Sequence, residues 1–125
     1  MDGRALREGA VPIVVVEDNR LLREGIVAIL DRQPDLHVVA VADDAASAAP
    51  RLSENRARVV LVDAGLGDRD SYELVEHIVG AFPEVRVIVM DVLPDPEDVV
   101  EFVRVIRELA SRLLGSEAER EVRSD

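Results

Sequence analysis

The sequence predicts an α/β fold built on a parallel sheet, and three observations support this prediction. Short runs of β-branched and aliphatic residues alternate four times with segments whose apolar residues recur at helical spacing. The runs are followed by carboxylates, which precede a loop or open the next helix. The 125 residues, 48% of them hydrophobic, suffice for one domain with a sizeable core. Four consecutive strand–helix units favour a parallel sheet with helices on both faces.

Composition excludes several classes of function. The net charge of −11 argues against direct binding of nucleic acid or of an anionic membrane by this chain. There is no apolar run of membrane-spanning length and no signal-peptide pattern. The absence of cysteine excludes disulfides and thiolate chemistry and agrees with a cytoplasmic location. All 15 basic residues are arginine, so any mechanism that needs a lysine is excluded.

The third predicted strand is the most apolar and ends in an acid. Its valine- and leucine-rich run leads into Asp63, and a glycine-containing loop follows. In parallel α/β sheets, ligand sites lie at the carboxyl ends of the strands. The first strand ends in two more acids, Glu17 and Asp18, so three carboxylates would meet in one corner. Such a cluster requires a cation or protons. The four strands are predicted at about residues 12–17, 37–42, 58–63 and 85–90.

The first three helices follow the first three strands. Each carries apolar residues at helical spacing, and Asp18 or Asn19 is expected to cap the first. Pro50 falls inside the second helix, where it should kink or shorten the helix because an interior proline costs about 3 kcal/mol. These helices are predicted to begin near residues 19, 43 and 70 and to end near residues 33, 55 and 81.

The last helix differs from the others in length. After Pro96 there is no Gly, Asn or further Pro until Gly115, which predicts one helix of about 18 residues, roughly 27 Å long, closed by Gly115. Arg104 and Arg112 each lie four residues from Glu108, so two ion pairs are expected on its polar face. No fifth strand is found. We therefore predict a domain over residues 11–115, with flexible tails at residues 1–10 and 116–125.

Several motifs carry a resemblance to a known family. They are Val14-Val15-Val16-Glu17-Asp18-Asn19, Leu21-Leu22-Arg23-Glu24-Gly25, Val59-Val60-Leu61-Val62-Asp63, Leu66-Gly67-Asp68-Arg69-Asp70-Ser71 and Val87-Ile88-Val89-Met90. In this order and spacing, over about residues 11–104, they resemble response-regulator receiver domains of two-component signalling, and most closely the NarL/FixJ group. The resemblance implies a CheY-like (flavodoxin-like) doubly wound parallel sheet, here with four strands in order 2-1-3-4. The long C-terminal helix would replace strand five and helix five.

The resemblance also assigns roles to the acids. It implies that Glu17 and Asp18 hold Mg²⁺ and that Asp63 accepts a phosphoryl group from a histidine kinase. Gly65 matches the residue whose main-chain carbonyl completes the metal site. This fits the chemistry of Mg²⁺, a hard cation that takes carboxylate and carbonyl oxygens together with waters.

Three departures from the family pattern concern the phosphoryl group. Asp91 stands at the switch position, where receivers have Thr or Ser, and a carboxylate there would repel the added charge. The family's lysine is missing, together with strand five. Gly67 and Ser71 replace the family's Pro and Gly. The sequence therefore resembles a degenerate or truncated receiver, in which the metal-binding half of the site is kept and the phosphoryl-clamping half is lost.

Three functions are consistent with this sequence. The first is an atypical receiver that acts in signal transduction and transcription regulation through protein–protein contacts, with phosphorylation at Asp63 impaired or lost. The second is a receiver that still takes a phosphoryl group on Asp63 with Mg²⁺. The third is a structural dimerisation domain without a ligand. None is an enzyme beyond phosphoacceptor or autodephosphorylation activity, and no catalytic residues are assigned.

A homodimer is expected because strand four would be an apolar sheet edge, which proteins cover or pair. The apolar arc of the last helix is also wider than packing on one sheet face requires. The alternative is that this helix folds back to cover the edge in a monomer. The predicted dimer contacts are Val87, Val89, Val99, Phe102, Val103, Ile106, Leu109 and Leu113.

Overall fold

Four strands and four helices alternate along the chain. The computed structural model describes the backbone of residues 9–66, 70–91 and 96–123, and the side chains of residues 9–66, 71–91 and 100–114. The strands are β1 (Val11–Val16), β2 (Leu36–Ala42), β3 (Val59–Asp63) and β4 (Arg86–Met90). The helices are α1 (Arg20–Asp31), α2 (Ala45–Asn55), α3 (Asp70–Ala81) and α4 (Pro96–Arg123).

The strands form one parallel sheet in the order β2-β1-β3-β4, as predicted. Val16 at the end of β1 is paired with Val62, and Asp63 at the end of β3 is paired with Met90. The carboxyl ends of β1, β3 and β4 therefore lie side by side at one end of the sheet. The described residues contain no fifth strand.

Two apolar layers cover the two faces of the sheet, because successive strand residues point to opposite sides. One layer joins residues of all four strands, among them Ile13 and Leu61, to α1 and α4. The other joins the alternate residues, such as Val14 and Val60, to α2 and α3. Strands buried on both faces explain the continuous apolar runs of the sequence.

Helix α4 packs on the same face of the sheet as α1. Ile106, Ala110 and Leu113 belong to the core on this face, while Arg107 forms an ion pair with Asp35 at 3.2 Å. This packing agrees with the alternative in which the last helix folds back, although the helix covers a face of the sheet rather than contacting only its edge. The expected pairs of Glu108 with Arg104 and Arg112 are present, at 3.4 Å each.

The prediction that Gly115 ends this helix is wrong, because α4 continues to Arg123. An interior glycine costs a helix only about 1 kcal/mol relative to alanine. The residues that follow include Glu, Ala and Arg, which are good helix formers. The local stop signal is therefore weaker than the helical preference of the residues on both sides.

The helices α1 and α2 begin at the capping residues that the sequence predicts. Asn19 caps α1 by accepting a hydrogen bond from the Leu22 N–H at 2.9 Å, and Asp44 caps α2 in the same way from Ser47 at 2.9 Å. Pro50 lies within α2, yet the helix continues to Asn55. The lost backbone hydrogen bond is thus tolerated, and the expected shortening does not occur.

Some expectations fall outside the described residues. They concern the replacement at Gly67, the side chain of Val99 and the end segments 1–8 and 124–125. In the part of the chain that is described, no helix combines the length and apolar character needed to cross a membrane.

Candidate functional site

Three carboxylates converge at the carboxyl ends of β1 and β3. Glu17 and Asp18 follow β1 directly, and Asp63 is the last residue of β3. One oxygen from each of these side chains lies within 4.8 Å of the others. Glu17 is buried, Asp63 is half-buried and Asp18 is exposed. The structure thus brings together the three acids that the sequence placed in one corner.

Glu17 is the buried member of this acidic pocket, formed by Glu17, Asp18 and Asp63. The pKa of the Glu17 carboxyl is raised to about 8, chiefly by burial and next by the side-chain hydrogen bond with Asp63. The Asn19 N–H, which donates to Glu17 Oε2 at 3.2 Å, acts in the opposite direction. Without a cation, the protonated form of Glu17 is therefore favoured at neutral pH, and it donates a hydrogen bond to Asp63.

The loop after β3 folds around the Asp63 carboxylate. The Gly65 N–H donates to Asp63 Oδ1 at 2.8 Å, and a Cβ at position 65 would lie 3.4 Å from that oxygen. The Ala64 N–H donates to the Met90 carbonyl at 2.8 Å, which extends the β3–β4 pairing into the loop. Gly65 is therefore next to the pocket, and the role that the resemblance assigns to its main-chain carbonyl stays a prediction.

Ser71 fastens this loop to α3, a role that the sequence analysis missed. Its hydroxyl donates to the Asp63 carbonyl at 2.7 Å and accepts from the Leu66 N–H at 3.2 Å. The side chain is buried, although serine is usually exposed. A serine in the first turn of a helix commonly bonds nearby backbone groups, and this signal could have identified it.

Arg23 is a second residue that the sequence analysis missed. Its guanidinium donates to the main-chain carbonyl of Glu17 at 2.8 Å, which ties α1 to the end of β1. No feature of the sequence distinguishes this half-buried arginine from the exposed ones.

Asp91 lies directly after β4, next to Met90, which is paired with Asp63. Its side chain is exposed. The group of carboxylates within 4.8 Å of one another consists, among the described residues, of Glu17, Asp18 and Asp63, so Asp91 is not part of it. The structure places Asp91 beside the acidic pocket rather than inside it.

The chain matches the model of the response regulator receiver domain over residues 13–113. It belongs to that family. The match spans all four strands except for the first two residues of β1, so the resemblance seen in the sequence is confirmed. Receiver domains bind Mg²⁺ at an acidic pocket, and in this chain the three acids lie at the corresponding end of the sheet.

Several curated regulators are similar in sequence. The transcriptional regulatory protein DegU of Brevibacillus brevis is 26% identical over 99 residues, which are 79% of this chain and 42% of DegU. The DNA-binding transcriptional activator DevR/DosR of Mycobacterium tuberculosis is 30% identical, over 64% of this chain and 37% of that protein. The oxygen regulatory protein NreC of Staphylococcus aureus is 29% identical, over 74% of this chain and 43% of NreC. The chain therefore spans less than half the length of these relatives.

Solved structures show the same fold. A two-component transcriptional regulator AraC from Clostridium phytofermentans superposes with a TM-score of 0.73 at 24% identity, covering 88% of this chain and 99% of that one. The signal receiver domain of the response regulator NarL from Mycobacterium tuberculosis gives a TM-score of 0.69 at 22% identity, covering 82% of this chain and 97% of that domain. The curated relatives are of the NarL/FixJ type, in agreement with the group indicated by the sequence, and the solved structures confirm the fold.

Proposed function

We propose that this chain is an atypical receiver domain that acts through protein–protein contacts, with phosphorylation of Asp63 impaired. The observation that carries the proposal is that the site keeps its acids but lacks the family's lysine. The three acids of the pocket lie together, whereas the sequence contains no lysine and the sheet, as far as it is described, ends at β4. The groups that would bind a cation are thus kept, and those that would hold a phosphoryl group are not.

The acidic pocket fits a Mg²⁺ ion. Glu17, Asp18 and Asp63 offer carboxylate oxygens at one point, and the main-chain carbonyl of Gly65 is the fourth proposed protein ligand. The raised pKa of Glu17 supports this proposal because burial, and next the neighbouring Asp63, disfavour a charge on this carboxyl that no cation offsets. A bound Mg²⁺ would offset the negative charge of the pocket and of an incoming phosphoryl group.

Phosphoryl transfer would proceed through Asp63. A carboxylate oxygen of Asp63 would attack the phosphorus of a phosphohistidine on a kinase, break the P–N bond and form an acyl phosphate. The product would add a charge of about −1.5 to −2. The Gly65 N–H is one donor near this position, but a lysine ammonium is absent and Asp91 supplies a carboxylate in place of a hydroxyl. These features support a weakened reaction or a short-lived product.

The alternative, a competent phosphoacceptor, is favoured by the accessibility of Asp63, which is only half-buried. Incubation with acetyl phosphate, with and without Mg²⁺, followed by intact mass measurement separates the two functions. We expect little or no stable gain of mass. A Mg²⁺-dependent gain of one phosphoryl group, lost in Asp63→Asn, would establish the alternative.

A structural domain without a ligand is the third function to be tested. Calorimetric titration with Mg²⁺ addresses it, with Asp18→Asn as the matched variant because Asp18 is exposed and its loss disturbs no core packing. We expect binding to the original chain and clearly weaker binding to the variant. No binding to either would favour the structural domain.

We further propose that the domain forms a homodimer and meets a histidine kinase in the cytoplasm. The dimer surface is smaller than the sequence predicts. Ile106 and Leu113 are buried in the core of this chain, and Phe102 packs against that core. A partner could reach Ile106 or Leu113 only by displacing α4. The proposed contacts that remain are Val87, Val89, Val103 and Leu109, together with the exposed part of Phe102.

DNA binding is proposed to lie outside this chain. DevR/DosR is a DNA-binding activator, but the chain spans only 37% of it. The charge of −11 opposes contact with phosphate groups. We therefore infer that the chain regulates transcription through its partners and not by touching DNA.

A further inference from the structure

Strand β4 is an edge of the sheet, and its backbone is available on the outer side. The Arg86 N–H donates to the Arg58 carbonyl at 2.9 Å, and the Met90 carbonyl accepts from Ala64 at 2.8 Å. Because backbone groups alternate in direction along a strand, the N–H and C=O groups of Val87 and Val89 point away from β3. Within the described residues, no hydrogen bond reaches these outward groups.

An apolar surface adjoins this edge on the α3 side of the sheet. Val89 is 53% exposed, and Val79 of α3 is 60% exposed. Val75, Phe82 and Val87 join them in lining a groove of about 490 Å³, which Leu109 of α4 also lines. Large apolar side chains beside an unpaired strand edge are unusual in a monomer, because such edges pair with other chains.

We propose that a second copy of this chain pairs with β4 in the antiparallel direction, so that the two sheets become continuous. This inference rests on the dimer proposed above and replaces α4 with β4 as its central element. A two-fold axis that joins two edge strands is perpendicular to the sheet, so one residue must lie opposite its own copy. We place on the axis the residue that leaves every outward group of β4 paired with the other copy.

The register that pairs all the outward N–H and C=O groups of β4 within the strand joins Val87 to Val89. Val87 lies opposite the partner's Val89, and each pair exchanges both N–H···O=C bonds. Ile88 then lies on the axis, opposite the partner's Ile88, as a pair without hydrogen bonds between them. On the α3 side, the two valines of one copy meet those of the other as cross-strand apolar pairs.

Charge favours a second copy in this orientation. Arg86 at the start of β4 is exposed, and Asp91 directly after its end is exposed as well. Antiparallel pairing brings the basic start of one strand near the acidic end of the other, at both ends of the interface. A parallel arrangement would instead bring like charges together. The edge is thus complementary to itself in charge, in hydrogen bonding and in apolar surface.

Cysteine cross-linking tests the register directly, because the chain has no cysteine of its own. Opposed residues of a pair without hydrogen bonds have Cα atoms about 4.5 Å apart, within the disulfide range of about 4.4–6.8 Å. Ile88→Cys should therefore form a covalent dimer on mild oxidation. Val100→Cys on α4, where Val100 is 70% exposed, is the control and should stay monomeric. Equal cross-linking of both variants, or none at position 88, would overturn the proposed register.

Val89→Pro tests the edge itself. It removes an outward N–H while the β3–β4 hydrogen bonds remain, and proline is tolerated on edge strands with this orientation. Two lost hydrogen bonds per dimer should weaken association by about tenfold or more in sedimentation velocity. Unchanged association of this variant, or a strictly monomeric original chain across micromolar concentrations, would refute the interface. Mg²⁺ titration of the same samples shows separately whether the proposed receiver function fails.

Discussion

Glu17 combines a buried position with a neighbouring carboxyl group. Its pKa in the folded chain is raised to about 8 from an ordinary value of 4.5. Between these two values the folded chain holds a proton that the unfolded chain has lost. The metal-free protein should therefore lose stability as the pH rises through this interval and level off above about pH 8.

Urea denaturation of the metal-free chain at pH 5 and at pH 8.5 measures this effect. The unfolding midpoint should fall with pH in the original chain. Glu17→Gln keeps the shape of the side chain and cannot ionise, so its midpoint should change less. An equal fall in both proteins would show that Glu17 does not carry the effect.

Binding of Mg²⁺ should have the opposite dependence on pH. A proton on Glu17 competes with the cation, so affinity should increase as the pH rises to about 8 and then stay constant. Well below pH 8, each pH unit should change the affinity by at most about tenfold. Calorimetric titration between pH 6 and 9 provides the measurement. An affinity that stays flat over this range would contradict the role assigned to Glu17.

Ser71 should matter more for stability than an ordinary surface serine. Ser71→Ala leaves the Asp63 carbonyl and the Leu66 N–H without the hydroxyl that joins them, which should cost about 1–3 kcal/mol in the free energy of unfolding. Ser53, exposed on α2, supplies the matched control, and Ser53→Ala should change the free energy by no more than about 0.5 kcal/mol. Similar values for the two variants in urea denaturation would mean that Ser71 does not fasten the loop.

Among the secondary-structure elements, α4 supports the domain chiefly through its packing. Ile106 is fully buried between α4 and the sheet. Ile106→Ala should cost about 2–5 kcal/mol in the free energy of unfolding, because it removes core contacts and leaves a cavity. Val100→Ala on the exposed side of the same helix should cost about 0.5 kcal/mol or less. If Ile106→Ala instead weakened association and left stability unchanged, α4 would be a dimer element after all.

The same helix shows what the sequence could and could not predict. Its apolar spacing identified a long amphipathic helix, but Ile106 and its neighbour Val105 are equally apolar in the sequence. Ile106 is buried, whereas Val105 is 44% exposed. Only the packing of α4 beside α1 decides which of them belongs to the core. The predicted end of α4 was wrong for a related reason. Gly115 is a local signal, and the helical preference of the chain extends beyond it.

The pocket was more predictable than the loop that shapes it. Three acids at strand ends are visible in the sequence, and parallel strands bring such ends together. The strand order that makes β1 and β3 neighbours came from the family resemblance. The bonds of Ser71 and Arg23 depend on where α3 and α1 lie relative to the strands, and neither residue type nor spacing reveals this.

At the scale of the whole molecule, the lack of a fifth strand among the described residues has two consequences. It accompanies the absence of the family's lysine, which would leave a phosphoryl group on Asp63 without an ammonium partner. It also leaves β4 as a sheet edge with an exposed Val89, which favours a partner. If, as proposed, phosphoryl control is impaired and β4 is a permanent contact surface, the domain should associate in the same way in every phosphorylation state.

Sedimentation velocity, with and without acetyl phosphate and Mg²⁺, tests this claim most directly. The original chain and Asp63→Asn should show the same concentration-dependent dimer in all conditions. A dimer that forms only after treatment of the original chain, and never in Asp63→Asn, would show that phosphorylation of Asp63 still controls assembly and would contradict the proposed function.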